Sequence, residues 1–282
     1  MLRTLDDMDL SALRGVPDPI DRARRARQAS REVEQIRTDA IGEAARNGMS
    51  QSAIGDALGV TRARISQILK GGPGPERAFW GADEGAITVS AGRKLEAGKP
   101  AAKAGPAVAV EDIAAFEMLR EHAAALDLSV TLEYIEPPGI VNLNRAGLVV
   151  ICGPRLSPIV GQVLASDRAL GFACDGTGWY LKDHQTGRTY RSPMDDGENV
   201  DIAYLGRLPR PDGRGTFVYM AGIHAPGEAG AVHYLTTELE QVWQQVRDHR
   251  FSTLIRSVHD PENHNRIVSS ERVTDFYRPE GN

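Results

Sequence analysis

Arg62, Arg64 and Gln67 fall within six consecutive residues, close enough to leave the start of one helix together. An Arg guanidinium grips the O6 and N7 edge of guanine, and a Gln amide pairs with adenine, so this trio suits base reading in a major groove. Thr61, Ser66 and Lys70 stand beside them, and Ser50 and Gln51 lie just upstream. These types hydrogen-bond phosphates, which positions a protein on a duplex without reading sequence.

A second group of residues points to a different chemistry. Gly153, Arg155 and Ser157 lie in Cys-Gly-Pro-Arg-Leu-Ser-Pro, after the strand-like run Gly147 to Cys152. Gly222, His224 and Gly227 lie in Ala-Gly-Ile-His-Ala-Pro-Gly, after Thr216 to Ala221. Each segment reads as buried strand, glycine loop, then helix. In parallel sheets such loops line the ligand crevice, and helix N-termini attract anions through free N–H groups. The expected occupant is a small anionic, nucleotide-like molecule. Neither loop has the glycine spacing of a dinucleotide fingerprint, nor the Lys-Ser or Lys-Thr of a phosphate-binding P-loop.

Other chemistries find less support. His184, His224 and His233, with Asp183, Asp195, Asp196 and Glu228, supply acid-base types, and His224 stands where a catalytic base could sit. The histidines lack metal-ligand spacing, and no Gly-x-Ser-x-Gly elbow occurs. Asp195, Asp196 and Glu198 read as an acidic turn. Trp179, Tyr180, Tyr190, Tyr204 and Tyr219 read as sheet-packing aromatics, one or two of them free to stack on a ligand. Cys152 and Cys174 are too few for a disulfide framework or a thiolate metal cage and read as small buried side chains. No catalytic residue, metal ligand or cofactor is therefore assigned.

The DNA-facing residues need two short helices on a tight turn. Ser50 can cap the first, with Ile54 and Leu58 facing inward, Ala53 and Ala57 allowing close approach and Gly59 supplying the turn. Val60 plugs the corner, and Thr61 caps a second helix that buries Ile65, Ile68 and Leu69 while exposing Arg62, Ala63, Arg64, Ser66, Gln67 and Lys70. The words Ser-Gln-x-x-Ile-x-x-x-Leu-Gly-Val-Thr-x-x-x-Ile-Ser-x-x-Leu closely resemble the helix-turn-helix of bacterial transcription regulators and of sigma-factor-like DNA-binding domains. That resemblance covers about 20 residues and implies binding to double-stranded DNA. The final two thirds of the chain is loosely similar to α/β domains of unassigned function found behind helix-turn-helix modules in actinobacterial proteins.

The 282 residues suit two domains, and the composition, 41% apolar and 25% charged, is that of a globular protein. The net charge of -5 would disfavour a nucleic-acid partner, but residues 20–72 hold ten Lys or Arg against six Asp or Glu, a local +4. The acidic excess lies elsewhere. No apolar run reaches membrane-spanning length, and the acidic segment Met1 to Leu13 lacks a signal-peptide pattern, so a cytoplasmic protein without a membrane partner is expected.

The expected fold is an α+β multidomain chain. Residues 1–17 form a flexible start. Residues 18–73 form an all-α domain, in which a long helix from about Ile20 to Arg46, with Ile20, Ala23, Ala26, Val33, Ile36 and Ala40 as its stripe, precedes the helix-turn-helix. That helix serves either as a dimer element or as a cover over the core. Residues 74–105 are a Gly-, Ala- and Lys-rich flexible linker, and residues 106–282 a Rossmann-like α/β domain with a mixed sheet. The expected function is a sequence-specific DNA-binding transcriptional regulator, a homodimer or higher homo-oligomer, whose C-terminal domain senses the ligand or mediates oligomerisation. The alternatives are a nucleotide-processing enzyme tethered to DNA and a structural DNA-organising protein.

Overall fold

The computed structural model of the chain describes residues 15–69, 75–81, 85–96, 98, 100, 103–126 and 128–279. The expectations for the acidic start and for Lys70 fall outside them. The chain divides into two units, Met1–Gly74 and Pro75–Asn282.

In the first unit, Pro19 opens helix α1 (Pro19–Arg46), which ends before Gly48 at φ 90°. Helix α2 (Gln51–Leu58) is capped by Ser50, whose Oγ accepts the Ala53 amide at 3.2 Å. Gly59 then turns the chain at φ 66°, ψ 30°, a left-handed conformation that costs glycine little. Helix α3 (Arg62–Leu69) follows, with Thr61 Oγ1 accepting the Arg64 amide at 3.1 Å.

Ile54, Ile65 and Ile68 are buried together with Ile41 of α1, and Ala44, Ala45 and Val60 pack against them. The end of α1 therefore covers this small core, one of the two roles expected of it. Ala40, placed on the α1 stripe, is exposed, and three larger apolar positions also depart from expectation. Leu58 is 50% exposed and Leu69 36%, because the buried stripes run through Ile54 and Gly55 on α2 and through Arg64, Ile65 and Ile68 on α3. Ile36, placed on the α1 stripe, is 67% exposed.

The second unit begins inside the segment expected to be a linker. Helix α4 (Pro75–Phe79) precedes strands β1 (Ala86–Gly92) and β2 (Lys94–Leu95). Within β1, Ile87, Val89 and Ala91 are buried, an alternation that commits the strand to the sheet. Then come β3 (Pro106–Ala107), helix α5 (Val110–Ala125), β4 (Ser129–Ile135), β5 (Leu148–Ile151) and helix α6 (Pro158–Leu164). Strands β6 (Leu170–Asp175), β7 (Gly178–Asp183) and β8 (Thr189–Tyr190) form a small antiparallel sheet. The chain continues through β9 (Val200–Pro209), β10 (Thr216–Gly222), helix α7 (Ala225–Val246), β11 (Phe251–Asp260) and β12 (Arg266–Arg272).

The main sheet has seven strands in the order β12-β11-β9-β10-β5-β1-β4. It is mixed: β4, β1, β5 and β10 run parallel, whereas β9, β11 and β12 join antiparallel. Alternation distributes its side chains to two faces. Val149, Ile151, Val218 and Met220 pack with Ala115 and Leu119 of α5 and with Val232 and Leu235 of α7. Leu148, Val150, Phe217 and Tyr219 pack on the other face with Val160 and Leu164 of α6 and with Leu170 and Leu181 of the small sheet. Both faces of the parallel half are thus covered, as parallel strands require. Cys152 is buried as expected, but Cys174 near the end of β6 is exposed. Among the described residues, no helix is long and apolar enough to cross a membrane.

Candidate functional site

Parallel β1, β5 and β10 send their C-terminal ends to one edge of the sheet, where ligands of open α/β sheets bind. A cavity of about 260 Å³ opens there. Its walls include Lys94 after β1, Gly153 and Arg155 after β5, Gly222 at the end of β10 and His224 beyond it, and Asp112 and Glu228 from the first turns of α5 and α7. Phe172 and Trp179 reach it from the small sheet, their rings edge to face at 6.4 Å.

Four of the six residues expected at a ligand line this cavity: Gly153, Arg155, Gly222 and His224. Ser157 and Gly227 do not. Ser157 is buried, donates its hydroxyl to Gly139 O at 2.7 Å and caps α6 by accepting the Val160 amide. Its hydrogen-bonding capacity is spent on holding the loop. Gly222 and Gly227 are glycines for packing: a Cβ on Gly222 would lie 2.0 Å from His224 O, and one on Gly227 2.4 Å from Asp201 Oδ2.

The expected anion site at the start of α7 is already filled by the protein. Asp201 of β9 accepts the His224 amide at 2.9 Å and the Gly227 amide at 3.0 Å, both through Oδ2. This internal carboxylate closes the helix end that was to receive a phosphate. Burial, outweighing these hydrogen bonds, raises the Asp201 carboxyl to about 6.

Deeper in the cavity two carboxyls meet. Asp112 is 2% exposed and Glu228 7%, and both line the cavity close enough to influence each other's charge. Burial raises both above the ordinary carboxylate range, Glu228 further because Asp112 stands beside it, and Lys94 is the nearby cation that opposes the rise. Asp112 Oδ1 is buried with no hydrogen-bond partner among the described residues. At the rim, His224 Nε2 lies 2.9 Å from Asp195 Oδ1. Burial pushes the Cys152 thiol well up, so it is no nucleophile near neutral pH.

Lys94, Asp112, Phe172 and the pairing of Glu228 were not legible as a site. Lys94 lay in the presumed linker, and Asp112 opens a helix whose carboxylates ordinarily face water at the positive helix end. Among the described residues, no group of three or more His, Cys, Asp or Glu could hold a metal ion.

In the first unit, Ser50, Thr61 and Arg62 are exposed, whereas Gln51 and Ser66 are half-buried. The side chain of Gln67, like Lys70, lies outside the described residues. Arg64 overturns its expected role, being only 5% exposed. It sits one residue before Ile65 and four before Ile68, on the buried face of α3. No family model, curated protein or solved structure matches the chain.

Proposed function

We propose that the chain is a DNA-binding regulator whose second unit takes a small nucleotide-like ligand. What carries the DNA half is the pairing of two eight-residue helices through Gly59, with polar caps at Ser50 and Thr61 and with Arg62 exposed at the start of α3. This arrangement matches the demands of a helix-turn-helix, in which the second helix presents its first residues to the major groove. Arg62 is then the principal reader, and Ser50 and Thr61 suit phosphate contacts.

The ligand half rests on the mixed chemistry of the cavity. Trp179 and Phe172 offer aromatic faces to a base, Arg155 and Lys94 offer cations to a phosphate, and the acidic floor accepts hydrogen-bond donors. Ligand and DNA influence one another only if the ligand binds the DNA-competent arrangement with a different affinity. Mobility-shift titrations of duplex DNA at fixed salt, with and without millimolar AMP, GMP, CMP or UMP, test the reading. A shift of at least about threefold in DNA affinity with one nucleotide is expected. No DNA binding, or DNA binding indifferent to all four nucleotides, contradicts it.

A further inference from the structure

We propose that the opposite end of the main sheet holds a second binding site, an arginine-lined cavity that takes a small anion bearing two or more linked phosphate groups. This site is separate from the crevice at Gly153 and Gly222 and does not depend on what that crevice binds.

Strand direction places it. Strand β9 runs antiparallel to β10, so its end at Arg207 to Pro209 lies beside the start of β10, away from the strand ends that open the crevice. The start of β11 joins it there, Phe251 pairing with Arg207. A cavity of about 590 Å³ opens at this end, more than twice the volume of the crevice. Arg168, Arg207, Arg250 and Arg278 line it, and among the described residues Asp167 is the one acid in its wall. Four guanidiniums against one carboxylate give a formal charge of +3. A hollow lined by one sign of charge focuses the field and concentrates the opposite ion.

The protein does not supply that ion itself. Asp167 is engaged elsewhere: its Oδ1 accepts the Ala169 amide and its Oδ2 the Tyr204 hydroxyl, each at 2.9 Å. Arg93, Arg145 and Arg191 hold Glu136, Glu133 and Asp175, whereas the four cavity arginines form no ion pair among the described residues.

Arg207, 3% exposed, is the fixed base of the cluster. It donates to Arg247 O at 2.5 Å, His249 O at 3.2 Å and Phe79 O at 2.8 Å, and its guanidinium lies 4.2 Å from the centre of the Phe79 ring. Those contacts orient the group without adding a negative charge, and burial lowers it to about 10 although Asp248 opposes the fall. Arg278 gives one N–H to Gln245 O. Arg168 is exposed and Arg250 half-buried, and neither forms a hydrogen bond among the described residues. The enclosed Nε of Arg250 differs in this from that of Arg210, whose side chain is tied to Arg214 O.

Charge and shape select the occupant. The guanidinium fork grips phosphate oxygens in pairs. One phosphate group carries about −2, less than the charge of the cavity, and two linked groups match it better. Duplex DNA presents its phosphates along a broad rod, whereas these arginines converge on a hollow, which suits a small ligand.

Isothermal titration calorimetry of the full chain with pyrophosphate, orthophosphate and ADP, at about 0.1 M salt, tests the site. One equivalent of pyrophosphate should bind at least about tenfold more tightly than orthophosphate, and affinity should fall at least about tenfold in Arg168→Ala and in Arg250→Ala. Melting temperatures check that each variant is folded, and the wild-type titration decides the matter if neither is. Arg155→Ala, in the crevice, should leave pyrophosphate affinity within about twofold. ADP binding that needs Arg168 and Arg250 supports a diphosphate on a nucleoside carrier, and pyrophosphate binding without ADP supports the free anion. Absence of saturable pyrophosphate binding up to about 1 mM overturns the proposal, as does binding that survives both cavity substitutions or that Arg155→Ala abolishes. Loss of duplex DNA affinity in both cavity variants, with no pyrophosphate bound by the wild type, overturns it in favour of a second DNA contact.

Discussion

Asp201 accepts the backbone amide of Gly227 at 3.0 Å, so a carboxylate from strand β9 caps helix α7 from across the sheet. The cap helix residue, His224, makes no side-chain hydrogen bond of its own to the helix, and Asp201 also takes its amide. This one carboxylate fixes the loop that carries His224 and the turn that carries Glu228. Asp201→Ala is expected to lower stability by about 2–4 kcal/mol in urea unfolding, since two amides lose a charged acceptor in a buried place. Asp201→Asn, which keeps an acceptor oxygen, should cost less than half as much.

The same residue gives a pH dependence of definite sign. Its folded-state value of about 6 lies above the ordinary carboxylate value of 3.8, so the folded chain holds this proton more tightly than the unfolded chain. Its contribution to stability is therefore full below about pH 4 and is lost as pH rises through about 6. Unfolding midpoints of the wild type relative to Asp201→Asn should fall across that window and level off above it. A relative midpoint that rises with pH would contradict the assignment.

Gly222 admits no side chain. Gly222→Ala would push a methyl carbon against His224 O, and the loop has no flexible side chain there to give way. A loss of about 3 kcal/mol is expected, read as a lowered melting temperature. The corresponding change at Gly153, where a Cβ would meet nothing within 4 Å, should be close to neutral for stability.

Much of this arrangement was readable in the residues, and what was not has identifiable causes. The strand-loop-helix units at Cys152 and Gly222 were legible because apolar runs end there in glycine and proline. The caps Ser50 and Thr61 were legible because their chemistry is local. Strand β1 was hidden because Ala86–Gly92 is mostly small residues flanked by Gly, Ala and Lys, although Ile87, Val89 and Ala91 carry the period of two. Arg64 was misplaced by one step around the helix: taking Leu69 as buried turned Arg64 outward, whereas the stripe runs through Arg64, Ile65 and Ile68. Residues that meet only through tertiary structure gave no local signal. Asp112 and Glu228 are 116 positions apart, and Asp201 reaches α7 from a strand whose pattern shows only burial.

Trp179 provides a direct probe of the cavity. Its indole fluorescence should change when a nucleotide binds, and Trp179→Ala should weaken that binding by about tenfold or more through lost stacking. Ser157→Ala separates the structural residue from those that line the cavity. It should cost about 1 kcal/mol of stability through the lost α6 cap and leave nucleotide affinity within about twofold.

Arg62 and Arg64, two residues apart, differ in exposure, Arg62 being exposed and Arg64 buried. Arg64→Ala should destabilise the first unit, and Arg62→Ala should leave its melting temperature within about 2 °C. The most direct test is selection of bound duplexes from a random pool, sequenced for the wild type and for Arg62→Ala. Enrichment of a defined motif by the wild type is expected, with preference at one position lost and affinity reduced about tenfold or more in Arg62→Ala. A wild-type chain that enriches no motif, or an Arg62→Ala chain that enriches the same motif equally well, would contradict the account.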